Sequence, residues 1–176
     1  MIPQTKCVPW MNAEVSTLTD KSGAGYDGTR GSTATWGDNS LGGKNLVFAG
    51  DANSKVEYGD IQNAYSVSIW VALSDTTEVL WQHATGAGNG AVATAGTIAY
   101  TGWDNCFVNG TDTNTVTTAL SLITVVSSTP VDCTAFTIGE LNNVHLTGTV
   151  YGWAVYEYQV TLEQHTQEYE AHKNDY

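Results

Sequence analysis

The sequence predicts an all-β protein: a two-sheet antiparallel β-sandwich with one short C-terminal helix. The main observation is the strict alternation from Ser66 to Leu73, which places Val67, Ile69 and Val71 on one face of a strand. Eighteen glycines against three prolines supply turns between short apolar segments, as sandwiches and barrels require. Antiparallel sheets bury one face and leave the other in water. We therefore expect a core between two layers whose outer faces are wet.

The other elements follow from the same patterns along the chain. Residues 1–12, which have two prolines and no apolar period, are predicted as an N-terminal arm. Residues 13–176 are predicted as a single domain with its own core. The predicted strands are Ala13–Leu18, about Thr33–Trp36, four segments within Lys44–His83, Thr97–Tyr100, Cys106–Val108, Thr113–Val116, Leu120–Ser127, Thr134–Ile138 and Thr147–Val160.

Asn109-Gly110 marks a hairpin. Both central residues of a type I′ turn need positive φ angles, which Asn and Gly tolerate best. Asn109-Gly110-Thr111 also matches a glycosylation sequon. We interpret the segment as the turn alone.

One helix is predicted, over Thr161–His172. Thr161 and Gln164 fit a capping box, in which each side chain accepts a hydrogen bond from the other's backbone N–H. Leu162 and Tyr169 are expected to face the sandwich.

The charge argues against one large class of partner. The chain has 18 acidic and 6 basic residues, a net charge of −12, and Arg30 and five lysines are spread along its length. Nucleic-acid binding needs Lys and Arg to displace counterions, and an anionic membrane attracts the same residues. We therefore expect neither nucleic-acid nor membrane partners.

The three cysteines, Cys7, Cys106 and Cys133, do not form a disulfide framework, because their number is odd. We interpret them as small buried apolar side chains. The sequence does not decide whether Cys106 and Cys133 form a disulfide, because it does not give the Cα–Cα distance that a disulfide requires. No Cys and His spacing matches a zinc site.

The N-terminal segment MIPQTKCVPW has no apolar h-region, so no signal peptide is predicted. No run approaches the roughly 18 apolar residues of a membrane span. We expect synthesis in a cytoplasm, unless a signal has been removed.

Seven short segments also occur in a recognisable order. They are Leu18–Gly23, Gly43–Asp51, Tyr65–Val71, Phe107–Gly110, Phe136–Gly139, Leu146–Tyr151 and Val160–Glu163. In this order they resemble the concanavalin A-like lectin/glucanase superfamily, in its laminin G-like branch, over about Thr17 to Glu170. The resemblance implies a jelly roll of two antiparallel sheets. It also makes sugar binding and sugar hydrolysis the activities to consider.

No predicted strand carries the pair of carboxyl groups that glycoside hydrolysis needs. Retaining hydrolysis needs two carboxyl groups about 5 Å apart, and the E-x-D-x-x-E strand of the hydrolase branch is missing. Glu57 and Asp60 lie at a strand end, and Asp75 and Glu78 flank a turn. No G-x-S-x-G elbow or phosphate loop occurs either. We expect no enzyme activity and no catalytic residue.

Two groups of side chains could bind a metal ion. The loop residues Asp20, Asp27 and Asp38, together with Asp51, could supply oxygens to Ca²⁺, although acidic loop residues usually form solvated turns. On the helix, His165, Glu168 and His172 share one face, which we expect to be solvated because no fourth ligand is evident. No cofactor other than Ca²⁺ is expected.

Sugar binding has two candidate loops. Aromatic rings offer flat apolar faces to a sugar, and a neighbouring Asp or Asn can bind its hydroxyl groups. One loop has this chemistry at Trp103, Asp104 and Asn105. The second group is Trp36, Asp38 and Asn39. The alternative for each tryptophan is that it covers an end of the core, because large aromatic side chains are mostly buried.

Two functions of different classes remain. The first is a non-enzymatic virion protein of a bacteriophage, such as a capsid decoration, head fibre or tail component. It would form a homo-oligomer, bind other virion subunits or the capsid lattice, and bind host glycans weakly. The second is a carbohydrate-binding module or lectin domain of a secreted, extracellular protein. A glycoside hydrolase is the third and least favoured function.

Overall fold

The structure is a computed structural model that describes residues 5–7, 17–20, 22–38, 43–86 and 88–175. In this part of the chain there are fifteen strands and one helix. They are β1 (Thr5–Cys7), β2 (Thr17–Leu18), β3 (Gly28–Arg30), β4 (Thr35–Asp38), β5 (Lys44–Ala49), β6 (Val56–Leu73), β7 (Glu78–Gln82), β8 (Gly90–Thr94), β9 (Thr97–Tyr100), β10 (Asn105–Val108), β11 (Thr111–Asp112), β12 (Ser121–Ile138), β13 (Glu140–Leu141), β14 (Val144–His145), β15 (Thr147–Tyr156) and α1 (Leu162–His172).

The two longest strands, β6 and β12, form an antiparallel pair that belongs to both layers. The pairing is regular from Ser121 opposite Val71 to Val126 opposite Ser66, and it then shifts register several times before its far end. Pro130 lies where the ladder is interrupted, which suits a residue without an N–H group. The pair bends there, so each strand contributes one half to each sheet.

The partners of each half define the two sheets. Sheet I runs in the order β4, β5, β15, the second half of β6, the first half of β12, β10 and β11, and β1 also pairs with β15. Sheet II runs in the order β2, β3, the first half of β6, the second half of β12, β7, β8 and β9. The chain is therefore an all-β sandwich with one short C-terminal helix, as predicted.

The core lies between the two sheets. Leu46, Ile69 and Ile123 from sheet I pack in one apolar cluster with Trp81 and Phe136 from sheet II, and all five are fully buried. Burial of apolar side chains on this scale is the main favourable term in folding.

The C-terminal segment, which includes helix α1, covers the outer face of sheet I over β6 and excludes solvent from it. The sequence pattern predicts water around the polar side of Ser66–Leu73, but Ser66, Ser68 and Trp70 are at most 5% exposed. The rings of Trp70 and Tyr169 are stacked, with centroids 6.0 Å apart. The prediction of a wet face is wrong here because the C-terminal segment packs across it.

The helix begins as predicted, but a different residue is buried. The Thr161 side chain caps the backbone of Gln164, and the Gln164 side chain caps that of Thr161. Leu162 is 37% exposed, whereas His165 is fully buried and its Nδ1 lies 2.9 Å from Thr124 Oγ1. The expected solvated face at His165 is therefore wrong.

Several other sequence predictions can be compared with the structure. The hairpin turn at Asn109-Gly110 is confirmed, with φ angles of 52° and 80°. The thiols of Cys106 and Cys133 are free and buried, so the open disulfide between them is not formed.

Other boundaries differ from the predictions. The two strands predicted at Leu120–Ser127 and Thr134–Ile138 are the single strand β12. Thr113–Val116 forms only an isolated bridge, between Thr115 and Thr97. Of the predicted N-terminal arm, only Thr5–Cys7 lies within the described residues. No helix in the described residues is both long and apolar enough to cross a membrane.

Candidate functional site

A cleft of about 150 Å³ lies between the turn that joins β7 to β8 and the hairpin of β13 and β14. Every lining residue is polar or glycine. They are Gln82, Thr85, Gly86, Glu140, Asn142 and Asn143. Amide, hydroxyl and carboxylate groups from two distant parts of the sequence therefore converge on one space.

The β13–β14 hairpin forms one wall of the cleft. Its central residues, Asn142 and Asn143, have φ angles of 52° and 63°, as a type I′ turn needs, and Asn tolerates this region better than most residues. Their side chains are exposed at the tip. The backbone N–H of Asn142 donates to Gln82 Oε1 at 3.3 Å, which joins the two walls.

Gly139 anchors the base of this hairpin. Its N–H donates to Leu80 O at 2.8 Å, and its carbonyl accepts from the N–H of Leu146 at 2.9 Å. Its φ angle is +82°, and a Cβ at this position would lie 2.5 Å from a ring carbon of Phe48. Only glycine fits both conditions, so the hairpin is held close against the core.

The β7–β8 turn forms the other wall and is held by its own hydrogen bonds. The His83 N–H donates to Asn89 O at 2.8 Å, and the carbonyl of His83 accepts from Ala135 N–H at 3.1 Å. The Asn89 amide donates to Thr85 O at 3.0 Å. These bonds fix the backbone on both sides of the cleft residues.

Glu140 is the one charged residue that lines the cleft. It is 8% exposed, and its Oε2 lies 2.8 Å from Lys55 Nζ. The same ammonium group lies 2.9 Å from Glu57 Oε1. The hydrogen bond to Glu140, followed by that to Glu57, raises the pKa of Lys55. Lys55 thus compensates the buried charge of Glu140.

In the predicted loop, Trp103 and Asp104 lie between β9 and β10, and Asn105 is the first residue of β10. Trp103 is 7% exposed and is part of the core cluster. The Asp104 carboxylate accepts from the N–H and the hydroxyl of Ser128, both at 2.6 Å, and these bonds lower its pKa. Asn105 Nδ2 donates to Asp112 at 3.2 Å. A role of this loop in sugar binding stays a prediction.

The second predicted group lies at the edge of sheet I. Trp36 is half-buried on β4 and packs against the core. Asp38 ends the same strand and forms an ion pair with Lys44 at 2.7 Å. Asn39 lies outside the described residues. The structure therefore places Trp36 and Trp103 on separate elements.

The predicted calcium ligands Asp20 and Asp27 accept hydrogen bonds from backbone groups, and their role in Ca²⁺ binding stays a prediction. The Asp20 carboxylate accepts from the N–H groups of Ser22, Gly25 and Tyr26 at 2.8–3.2 Å. The Asp27 carboxylate accepts from the N–H of Asp20 at 2.8 Å. In the described part of the chain no three His, Cys, Asp or Glu side chains are grouped as metal ligands would be.

The sequence analysis missed the six cleft residues. The signal that could have found one wall is the Asn142-Asn143 pair, which favours a type I′ turn much as Asn-Gly does. No local signal joins that turn to Gln82, since the two lie 60 positions apart.

No family model matches the sequence, and no curated protein matches it significantly. Solved structures do resemble it. Domain 4 of AbnA, a GH43 extracellular arabinanase from Geobacillus stearothermophilus solved in complex with arabinotriose, is 19% identical with a TM-score of 0.55. That match covers 94% of this chain and 98% of the domain.

Two toxin domains also resemble the chain. The binding domain of Paraclostridial Mosquitocidal Protein 1 is 10% identical, with a TM-score of 0.63 over 97% of this chain. The binding domain of botulinum neurotoxin serotype G is 12% identical, with a TM-score of 0.58 over 97% of this chain. The chain spans about half the length of each toxin domain. At these identities the likeness establishes a shared β fold, and it gives the laminin G-like branch no separate support.

Proposed function

We propose that this chain is a non-enzymatic carbohydrate-binding domain whose ligand occupies the cleft between the β7–β8 turn and the β13–β14 hairpin. The observation that carries the proposal is the polar lining, in which amide, hydroxyl and carboxylate groups converge from two anchored turns. Sugar hydroxyl groups both donate and accept hydrogen bonds. Gln82, Asn142 and Asn143 offer both functions, and the Glu140 carboxylate offers acceptor oxygens.

The similar structures support a binding function of this class. Domain 4 of the arabinanase was solved with arabinotriose, and this chain aligns with almost all of it. The toxin structures are described as binding domains. The proposal of a carbohydrate ligand combines this likeness with the chemistry of the cleft.

One pair of carboxylates requires comparison with a glycosidase site. Because Lys55 contacts both Glu57 and Glu140, the two groups lie within roughly 6 Å of each other, near the spacing of retaining glycosidases. The Lys55 ammonium group, however, occupies the space between them, where a glycosidic bond would have to lie. Glu57 also does not line the cleft. The arrangement favours binding over hydrolysis.

The virion role predicted from the sequence gains nothing from these similarities. None of the structures named above is described as a virion protein. A virion location, binding to capsid subunits and homo-oligomer formation therefore stay predictions, and the carbohydrate-binding alternative is the better supported function.

The test begins with a glycan array and continues with calorimetric titration of the sugars that bind. The key variant is Asn143→Gly, which removes the amide but permits the φ angle of 63°. We expect affinity to fall about tenfold, the equivalent of one hydrogen bond worth about 1.4 kcal/mol. Asn63→Gly is the matched control, because Asn63 also has a positive φ angle of 55° but does not line the cleft.

Two outcomes would contradict the proposal in different ways. If no glycan binds the wild-type protein, the function is wrong. If Asn143→Gly binds normally and Asp104→Ala loses binding, the sugar occupies the loop predicted from the sequence and the cleft is the wrong location.

A further inference from the structure

We infer that the cleft selects neutral saccharides and rejects those that carry a carboxylate, such as uronic acids and sialic acids. This inference rests on the proposed function and names the class of ligand for the same site. It follows from the distribution of charge around Glu140 and from the partners of the basic side chains.

The cleft presents a negative charge and no cation to its ligand. Glu140 is the charged residue among the six that line it. Lys55 is the base in contact with Glu140, and its ammonium group already contacts two carboxylates, at 2.8 and 2.9 Å. A third carboxylate from a ligand would find no unpaired base among these groups.

The other two lysines whose side chains the structure describes also pair with carboxylates. Lys44 pairs with Asp38, and Lys173 pairs with Glu170. The Arg30 guanidinium donates to the backbone carbonyl of Ala34. None of these three cations lines the cleft. Because the net charge of the chain is −12, an anionic sugar at the cleft is repelled and finds no cation in the lining to bind it.

A neutral sugar meets a different environment in the same cleft. The Gln82 amide oxygen already accepts from Asn142 N–H, which leaves the amide NH₂ as the donor from this residue. A hydroxyl group can accept from such a donor and donate to the Glu140 carboxylate in turn. A ligand carboxylate can only accept, so it cannot satisfy Glu140.

The experiment compares neutral saccharides with partners that carry a carboxylate, and the two uronate pairs, which keep the size of the sugar, are the decisive ones. The probes are cellotriose with its C6-oxidised triuronate, galactotriose with trigalacturonate, and lactose with 3′-sialyllactose, presented on one array and then titrated at low and physiological salt. For each neutral probe that binds, we expect the charged partner to bind at least about tenfold more weakly, with a smaller difference at high salt.

Substitution of Glu140 tests the physical cause. In Glu140→Gln the ratio of the two affinities, neutral over charged, should shrink to about threefold or less, even though the affinity for the neutral probe itself falls with the loss of the carboxylate acceptor. The matched control is Glu163→Gln, which changes the net charge equally on an exposed helix position, and should keep the wild-type ratio. Thermal unfolding of each variant verifies that it is folded.

The outcomes separate this inference from the proposed function. Equal or tighter binding of the charged member overturns the selectivity and leaves carbohydrate binding intact. An unchanged ratio in Glu140→Gln overturns the assigned cause. If no saccharide of either kind binds, the proposed function fails and the selectivity fails with it.

Discussion

Acid is expected to destabilise the fold through His165, which lies between α1 and sheet I. The His165 side chain is fully buried, and its Nδ1 lies 2.9 Å from Thr124 Oγ1. The centroids of the His165 and Phe107 rings are 5.7 Å apart. Burial lowers its pKa from 6.5 to about 4. Its neutral form is therefore the one that the folded protein holds.

The sign and size of the effect follow from this pKa. Below pH 6.5 the unfolded chain gains a proton at His165 that the folded protein does not bind, so stability is complete above pH 6.5 and falls as the pH approaches 4. The gap between the two pKa values corresponds to about 3 kcal/mol of unfolding free energy. This is a large fraction of the stability of a typical domain.

The assay is urea unfolding at several pH values between 7 and 4 for the wild type and His165→Asn. Glu168 acts in the opposite direction, because burial raises its pKa and so favours the fold at lower pH. Glu168 is present in both proteins, so the difference between their curves isolates His165. We expect this difference to narrow by about 3 kcal/mol from pH 7 to pH 4.

The control is Gln167→Asn, which changes an exposed residue of the same helix that does not titrate. Its pH profile should follow that of the wild type. A constant difference between wild type and His165→Asn across the pH range would refute the reasoning, since His165 would then titrate alike in the folded and unfolded states.

Two further predictions concern the core. Gly139→Ala should lower the free energy of unfolding, measured in urea, by about 3 kcal/mol, because the left-handed φ angle and the contact with Phe48 both oppose a Cβ. Gly59→Ala should cost only about 1 kcal/mol, because Gly59 has a φ angle of +75° but open space around it. Equal costs for the two variants would contradict the role of the contact with Phe48. Burial raises the pKa of Cys106 and that of Cys133 to about 12. Both thiols should therefore react with a thiol reagent at pH 8 only after the protein unfolds. Fast labelling of both thiols in the native protein would contradict this prediction, because it would show that they are accessible.

The strand pattern predicts the class of the fold because alternation reports which residues face the core. It fails for the outer face, since Ser66 and Ser68 are small polar residues that suit either water or a polar contact. In the structure Ser66 Oγ donates to Tyr158 O and accepts from Val160 N–H. Those partners lie more than 90 positions away, so no local pattern could reveal them.

The site was harder to predict because its two walls are joined only by the fold. Trp103 is an aromatic residue beside polar residues, and this pattern fits a sugar-binding residue as well as one that closes the core. Asn142 and Asn143 carry no aromatic neighbour, and Glu140 was one of many acidic residues in an acidic chain. What distinguishes them is their convergence with Gln82, which arises from the bend of β12 into sheet II.

The position of α1 explains why binding groups would lie on turns and not on a sheet face. Over β6 the helix and the segment before it bury Ser66, Ser68 and Trp70, so this part of sheet I has no surface for a ligand. The cleft turns lie elsewhere. One joins β7 and β8 of sheet II, and the other joins β13 and β14, which form a two-stranded sheet of their own. His83 and Gly139 tie these turns to neighbouring backbone. Groups already fixed in this way lose little freedom when a ligand binds. Changes at the exposed tips can therefore alter the ligand while the buried core stays the same.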